Sequence, residues 1–262
     1  MLAARRRSRL TAAVAAAVAA VAATVLTAAP ANAQFKGSSA TTELSRVHFL
    51  IVALTNDPNI GVGVQTDLRN FTAAVNNIPA ARRTVTTLSG ANVTAAKILA
   101  YYKSLSVAAN EGIVFYYSGH GGTGTNSGHI IVMADDEFFW QSELRAAIAA
   151  KNAAFSTVVT DSCANIVGTL PPPPSRFVGP RAVTAPDWTV LRQLFYQHRG
   201  TIEINGSRTG DYSYGPDDTG GLMTNQFCKM TKPGSLPSDY DLAFPSAKDG
   251  FVTWAEFFAP LQ

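Results

Sequence analysis

Two short stretches carry the residues best suited to chemistry. "GIVFYYSGHGGTG" (112–124) sets His120 among glycines where an apolar run ends, and "STVVTDSC" (156–163) closes another apolar run on Cys163. A thiol becomes a useful nucleophile when a neighbouring imidazole can take its proton, and the imidazolium can then protonate a leaving amine. The acyl intermediate of such a reaction needs amide donors for its oxyanion, and a glycine after the histidine leaves one N–H unobstructed. Gly119, Gly121 and Gly122 also allow a substrate backbone to approach closely. The competing reading is a buried structural cysteine and a turn histidine that never meet. The elements around them decide between the two.

"RVHFLIVAL" (46–54), "GIVFYYS" (112–118) and "FSTVVT" (155–160) are apolar runs of strand length, and "RTVTTLSG" (83–90) alternates and is rich in β-branched residues. "HIIVMA" (129–134) predicts a short extra strand and "TIEING" (201–206) another. Helical spacing appears in "TDLRNFTAAVNNI" (66–78), in "NVTAAKILAYYKSL" (92–105) with Asn92 or Thr94 as N-cap, and in "WQSELRAAIAAKN" (140–152). It appears again in "DWTVLRQLFYQH" (187–198) with Asp187 as N-cap, around 222–230, and in a C-terminal helix opened by the Thr253/Glu256 capping box. Buried strands alternating with amphipathic helices predict an α/β fold, with a mainly parallel central sheet and helices on both faces. Ligands in such sheets bind outside the carboxyl ends of the strands. His120 and Cys163 each follow a strand directly, so both should emerge at that edge.

With that placement, "FYYSGHGG" followed by "VVTDSC" resembles the metacaspases, within the wider caspase-like clan of cysteine peptidases. The likeness covers about residues 44–231, in the order of elements as well as in motif, and it implies a caspase-like three-layer sandwich. Caspases carry their histidine about 50 residues ahead of the cysteine; here the interval is 43. The resemblance implies that Cys163 is the nucleophile and His120 the acid/base, with the amides of Gly121 and Cys163 as the oxyanion hole. It also bears on specificity. Asp161, two residues before the cysteine, Asp67 in "QTDLRNF" and Ser118 match metacaspase pocket positions. Two carboxylates converging in a desolvated pocket would favour a guanidinium or ammonium at P1. The plain alternatives are a turn cap for Asp161 and a helix N-cap for Asp67.

The chain also departs from that family. After the cysteine, metacaspases usually read "HSG", and this chain reads "CAN". Between the two motifs the sequence is nearly uncharged until Asp135, Asp136 and Glu137. Asp135 and Asp136 are weak calcium candidates, and a solvated turn before a helix is the preferred reading, so no cofactor is expected. "KDGFVTWAEFF" imitates the second half of an EF-hand loop, but positions 1 and 3 would be Pro245 and Ala247, which offer no carboxylate. No G-x-S-x-G elbow, H-E-x-x-H or C-x-x-C occurs. The proline-rich stretch 164–187 reads as a loop, and its Arg176 and Arg181 are candidate self-cleavage sites.

At 262 residues, 47% hydrophobic and 15% charged, the chain can bury a core. Arg5, Arg6, Arg7 and Arg9 precede an alanine- and valine-rich run and then "ANA" at 31–33, the pattern of a secretory signal peptide cleaved near Ala33. That segment holds four arginines and no acids, so the whole-chain charge of +3 becomes −1 after cleavage. No basic patch is left for nucleic acid, and no membrane partner is expected after cleavage. Residues 34–45 then form a polar leader, and 46–262 a single peptidase domain. The two cysteines, Cys163 and Cys228, are expected as free thiols. The sequence therefore predicts an exported cysteine endopeptidase (periplasmic, cell-wall or extracellular) acting on a peptide or protein substrate after Arg or Lys. The alternative is an inactive module of the same fold that binds a peptide or partner.

Overall fold

Strands that carry apolar residues on both faces cannot leave either face in water, so they collect in the middle of a sheet covered on both sides. In the computed structural model, which describes residues 36–39, 42–124, 128–164, 188–207, 209–213, 215, 217–231, 253, 254 and 257, this is the fate of β2 (Arg46–Ala53), β4 (Glu111–Ser118) and β8 (Phe155–Asp161). They lie together, flanked by β3 (Arg83–Ser89) and β9 (His198–Asn205), with β1 (Lys36–Ser39) outermost. The order is β1-β9-β8-β4-β2-β3. Five strands are parallel, and β1 pairs antiparallel with β9.

Alternate residues of each strand feed two separate cores. Phe49, Ile51, Val114, Tyr116 and Val159 face α1 (Gly61–Asn76), α4 (Thr189–Tyr196) and α5 (Leu222–Met230). Leu50, Val52, Phe115, Tyr117 and Val158 face α2 (Ala95–Ser104) and α3 (Gln141–Ala149). The result is three layers, helix–sheet–helix, as the alternation of elements predicted. Phe71 of α1 stacks on Tyr116 with ring centroids 3.8 Å apart, which fixes that helix over the central strand. Thr94 caps α2, accepting from the Lys97 amide at 3.3 Å.

Several boundaries differ from the sequence reading. The first helix begins at Gly61, so Asp67 sits in its second turn and is not an N-cap. The polar leader contributes β1, and β9 starts at His198, three residues early. β6 (Gly128–Val132) is the expected short strand, but it joins β5 (Gly121–Gly124) and β7 (Phe138–Trp140) in a separate antiparallel sheet. A glycine-rich strand such as β5 offers no side-chain alternation to read. Among the described residues, no helix is long and apolar enough to cross a membrane. The signal segment, Asp187, Arg176 and Arg181, and most of the EF-hand-like stretch lie outside the described residues.

Candidate active site

The register of the two central strands sets the site. Ser118 stands opposite Asp161 at the ends of β4 and β8. His120 and Cys163 lie two residues beyond each, so both leave the sheet at the same edge. The turns are drawn together: the Gly119 amide donates to the Asp161 carbonyl at 3.3 Å, and Thr123 Oγ1 donates to the Ala164 carbonyl at 2.7 Å. A Cβ on Gly121 would stand 2.7 Å from the Cys163 carbonyl oxygen and 2.7 Å from Ser162 Oγ. Only glycine fits that approach, which places the two backbones expected to supply the oxyanion hole side by side.

Each of the two candidate groups has its own support. The Cys163 thiol donates to the Ser213 carbonyl, with sulfur and oxygen 3.7 Å apart. Burial raises its pKa, the Asp161 carboxyl adds to this, and the contact with Ser213 only partly offsets it, so the resting group is a thiol. Both Cys163 and Cys228 are unpaired. His120 is more open, and its Nε2 lies 3.2 Å from Asp57 Oδ2, in the loop after β2. Its main chain is pinned: Tyr117 Oη donates to the His120 carbonyl at 2.8 Å, and the Val132 amide donates to the same oxygen at 2.9 Å.

Asp67, Ser118 and Asp161 come together beside this pair. Ser118 Oγ donates to Asp67 Oδ2 at 2.7 Å. Asp67 Oδ1 accepts the Gly221 amide at 2.7 Å. Asp161 accepts from Ser213 Oγ at 2.9 Å and from the Thr224 amide at 2.8 Å. Burial first, and the neighbouring Asp161 charge second, push the Asp67 carboxyl up to about 8, and burial raises Asp161 as well. Both are almost closed to solvent, at 2% and 5% exposure. The cover is the segment leading into α5. Thr66 Oγ1 donates to the Asp217 carbonyl, and Gly220 and Gly221 lie so close to the two carboxylates that a Cβ on either would collide with them.

Sequence reasoning missed several of these partners. Asp57 gave one signal only, an "NDPN" turn directly after a buried strand on the same sheet edge. His129 lies under the turn that carries Cys163, with Nε2 3.0 Å from Ser162 Oγ. Burial lowers its pKa to about 4. Ser213 falls in a polar stretch with no periodicity to mark it, and Thr224, in the first turn of α5, meets Asp161 through its main-chain amide, which no side chain announces. The calcium candidates form a turn: Asp136 has a positive φ of 61°, and Asp135 Oδ1 accepts the Glu137 amide at 3.4 Å. Among the described residues, no group of three or more carboxylate, imidazole or thiol side chains gathers as a cation would require.

Comparison with known proteins gives the following. A family model described as the caspase domain matches residues 62–244, a span that includes Asp67, His120 and Cys163. No curated protein matches the chain. Among solved structures, a Geobacter sulfurreducens protein is similar at 23% identity over 45% of this chain and 50% of its own, with a TM-score of 0.34. The chain thus spans half the length of that protein. Caspase-1 of Spodoptera frugiperda is similar at 11% identity over 78% of this chain and 75% of its own, with a TM-score of 0.49.

Proposed function

The chain belongs to the caspase-domain family, whose members are generally cysteine peptidases acting on proteins, and from that premise we propose that it is an exported, metacaspase-like endopeptidase cleaving after Arg or Lys. The observation that carries the reading is the register of Ser118 against Asp161, which delivers His120 and Cys163 to one sheet edge with Gly121 against the nucleophile's backbone.

In the proposed reaction the Cys163 proton passes to His120 as the sulfur adds to the scissile carbonyl carbon. The amides of Gly121 and Cys163 face the oxyanion. The C–N bond then breaks, and the imidazolium gives its proton to the leaving amine. Water adds to the thioester with His120 as base, and the C–S bond breaks to release the acid and restore the thiol. No cofactor takes part. A raised thiol pKa fits a nucleophile that is deprotonated only as substrate arrives.

The preference for a basic side chain rests on Asp67 and Asp161. A guanidinium entering there would take the place now held by the Gly221 amide, so substrate binding requires the 217–221 segment to shift. Once paired with a cation, the two carboxylates would ionise more readily. An acyloxymethyl ketone carrying Arg at P1 tests the reading. It should label Cys163, seen as a single adduct by peptide mass mapping, while the Asp analogue leaves the protein unmodified. Absence of an Arg-directed adduct, with the peptide still bound, would favour the inactive binding module.

A further inference from the structure

The sheet order β8-β4-β2 places the loop carrying His120 between the loop carrying Cys163 and the loop carrying Asp57. Both flanking loops are tied to the centre. The Leu54 amide donates to the Ser118 carbonyl at 3.0 Å on one side, and the Gly119 amide donates to the Asp161 carbonyl on the other. Asp57 is itself immobilised. Its Oδ1 accepts the amides of Asn59 at 2.8 Å and Ile60 at 3.1 Å, an Asx turn, and its main-chain carbonyl accepts the Gly61 amide at the start of α1. This leaves Oδ2 turned to His120 Nε2 at 3.2 Å.

We propose that Asp57 is a positioning residue that completes a Cys163–His120–Asp57 triad, fixing the imidazole with its Nε2–H on the carboxylate and its Nδ1 left as the base for the thiol. The inference rests on the peptidase reading above and extends it. A carboxylate can only accept, so the nitrogen facing it must carry the proton. Burial of Asp57 works to raise its pKa, but the Asn59 and Ile60 amides and the facing histidine outweigh this, and the group stays ionised. Once His120 takes the thiol proton, that anion lies against the imidazolium. An isolated surface ion pair would contribute little. Here the carboxylate is prepaid in orientation by two amides, and its partner is a histidine whose main chain is held by Tyr117 and Val132.

The Asx turn makes the test specific. In Asp57→Asn the oxygen must stay where Oδ1 accepts the two amides, so the new NH2 faces His120. Nε2 must then accept, the proton moves to Nδ1, and the nitrogen meant for the thiol is occupied. Asp57→Ser keeps an oxygen for the turn and offers nothing to the histidine. Both variants should keep the wild-type Tm within about 2 °C. In each, kcat on a P1 Arg peptide should fall at least roughly 100-fold, with KM changed less than about 3-fold. Alkylation of Cys163 by iodoacetamide, followed by mass mapping, should slow about 10-fold in parallel. Folded variants with kcat and alkylation rate within about 3-fold of wild type would overturn the triad. If the wild-type protein cleaves no peptide, the peptidase reading fails, and the alkylation rates alone decide the role of Asp57.

Discussion

Ser118 and Asp161 face each other in register at the ends of two adjacent parallel strands, and each does two things at once. Each holds a place in the acidic cluster beside the site, and each sets where the turn beyond it begins. A one-residue slip of β8 against β4 would turn Asp161 to the other face and carry Cys163 away from His120. The acidic cluster and the turns that carry His120 and Cys163 are therefore placed by the same strand register.

The close approach of Gly121 to the Cys163 turn is open to a direct test. Gly121→Ala places a methyl 2.7 Å from the Cys163 carbonyl oxygen, and main chain cannot yield there cheaply. The oxyanion donors should separate, with kcat/KM falling roughly 100-fold or more. Gly128→Ala, at a position with open space around it, should leave activity within about 3-fold despite a positive φ. Steady-state kinetics on a P1 Arg peptide distinguish the two.

Asp67→Asn should separate stability from specificity. An acid whose folded pKa lies above its unfolded value weakens the fold as pH climbs between the two. For Asp67 that window runs from its ordinary value of 3.8 to about 8. Asparagine can accept the Gly221 amide and donate to Ser118 Oγ without any charge. The variant should therefore unfold at a Tm a few degrees above wild type at pH 8, roughly the effect of 1 kcal/mol, and this advantage should vanish near pH 4. At the same time kcat/KM for P1 Arg should fall about 10- to 100-fold through the lost charge-assisted bond. Calorimetry across pH checks the first half, and kinetics the second.

His129 works in the opposite direction. Its pKa is depressed by burial from 6.5 to about 4, so its contribution to stability is present above 6.5 and is lost as pH falls toward 4. His129→Gln removes that dependence. At pH 7.5 the variant should be less stable by about 1 kcal/mol, through the lost contact with Ser162. The deficit should shrink as pH is lowered from 6.5 to 4. Denaturant titrations at several pH values would show it, and a deficit independent of pH would contradict it.

How far the sequence reveals this arrangement depends on where side chains declare themselves. β2, β4 and β8 are legible because each carries a strand-length stretch dominated by apolar and β-branched residues, and α5 because Met223, Phe227 and Met230 recur at helical spacing. From these, the three layers follow, and so does the shared edge for His120 and Cys163. Asp67, Ser118 and Asp161 are recoverable only through likeness to a family, since nothing in the spacing of three polar residues says that they converge. The cover over Asp67 and Asp161 escapes notice because Gly220 and Gly221 act through backbone, which leaves no chemical signature in a one-letter string. Asp57 is hidden for a related reason. Its role depends on which of its two oxygens the Asx turn consumes, and only coordinates supply that.

The most direct measurement compares hydrolysis of matched peptides with Arg, Lys or Asp at P1 by residues 34–262, beside Cys163→Ala, in reducing buffer with and without calcium. Turnover is expected after Arg and Lys but not after Asp, unaffected by calcium and abolished in Cys163→Ala. Failure to cleave the Arg and Lys peptides under either condition, or turnover that survives in Cys163→Ala, would contradict it.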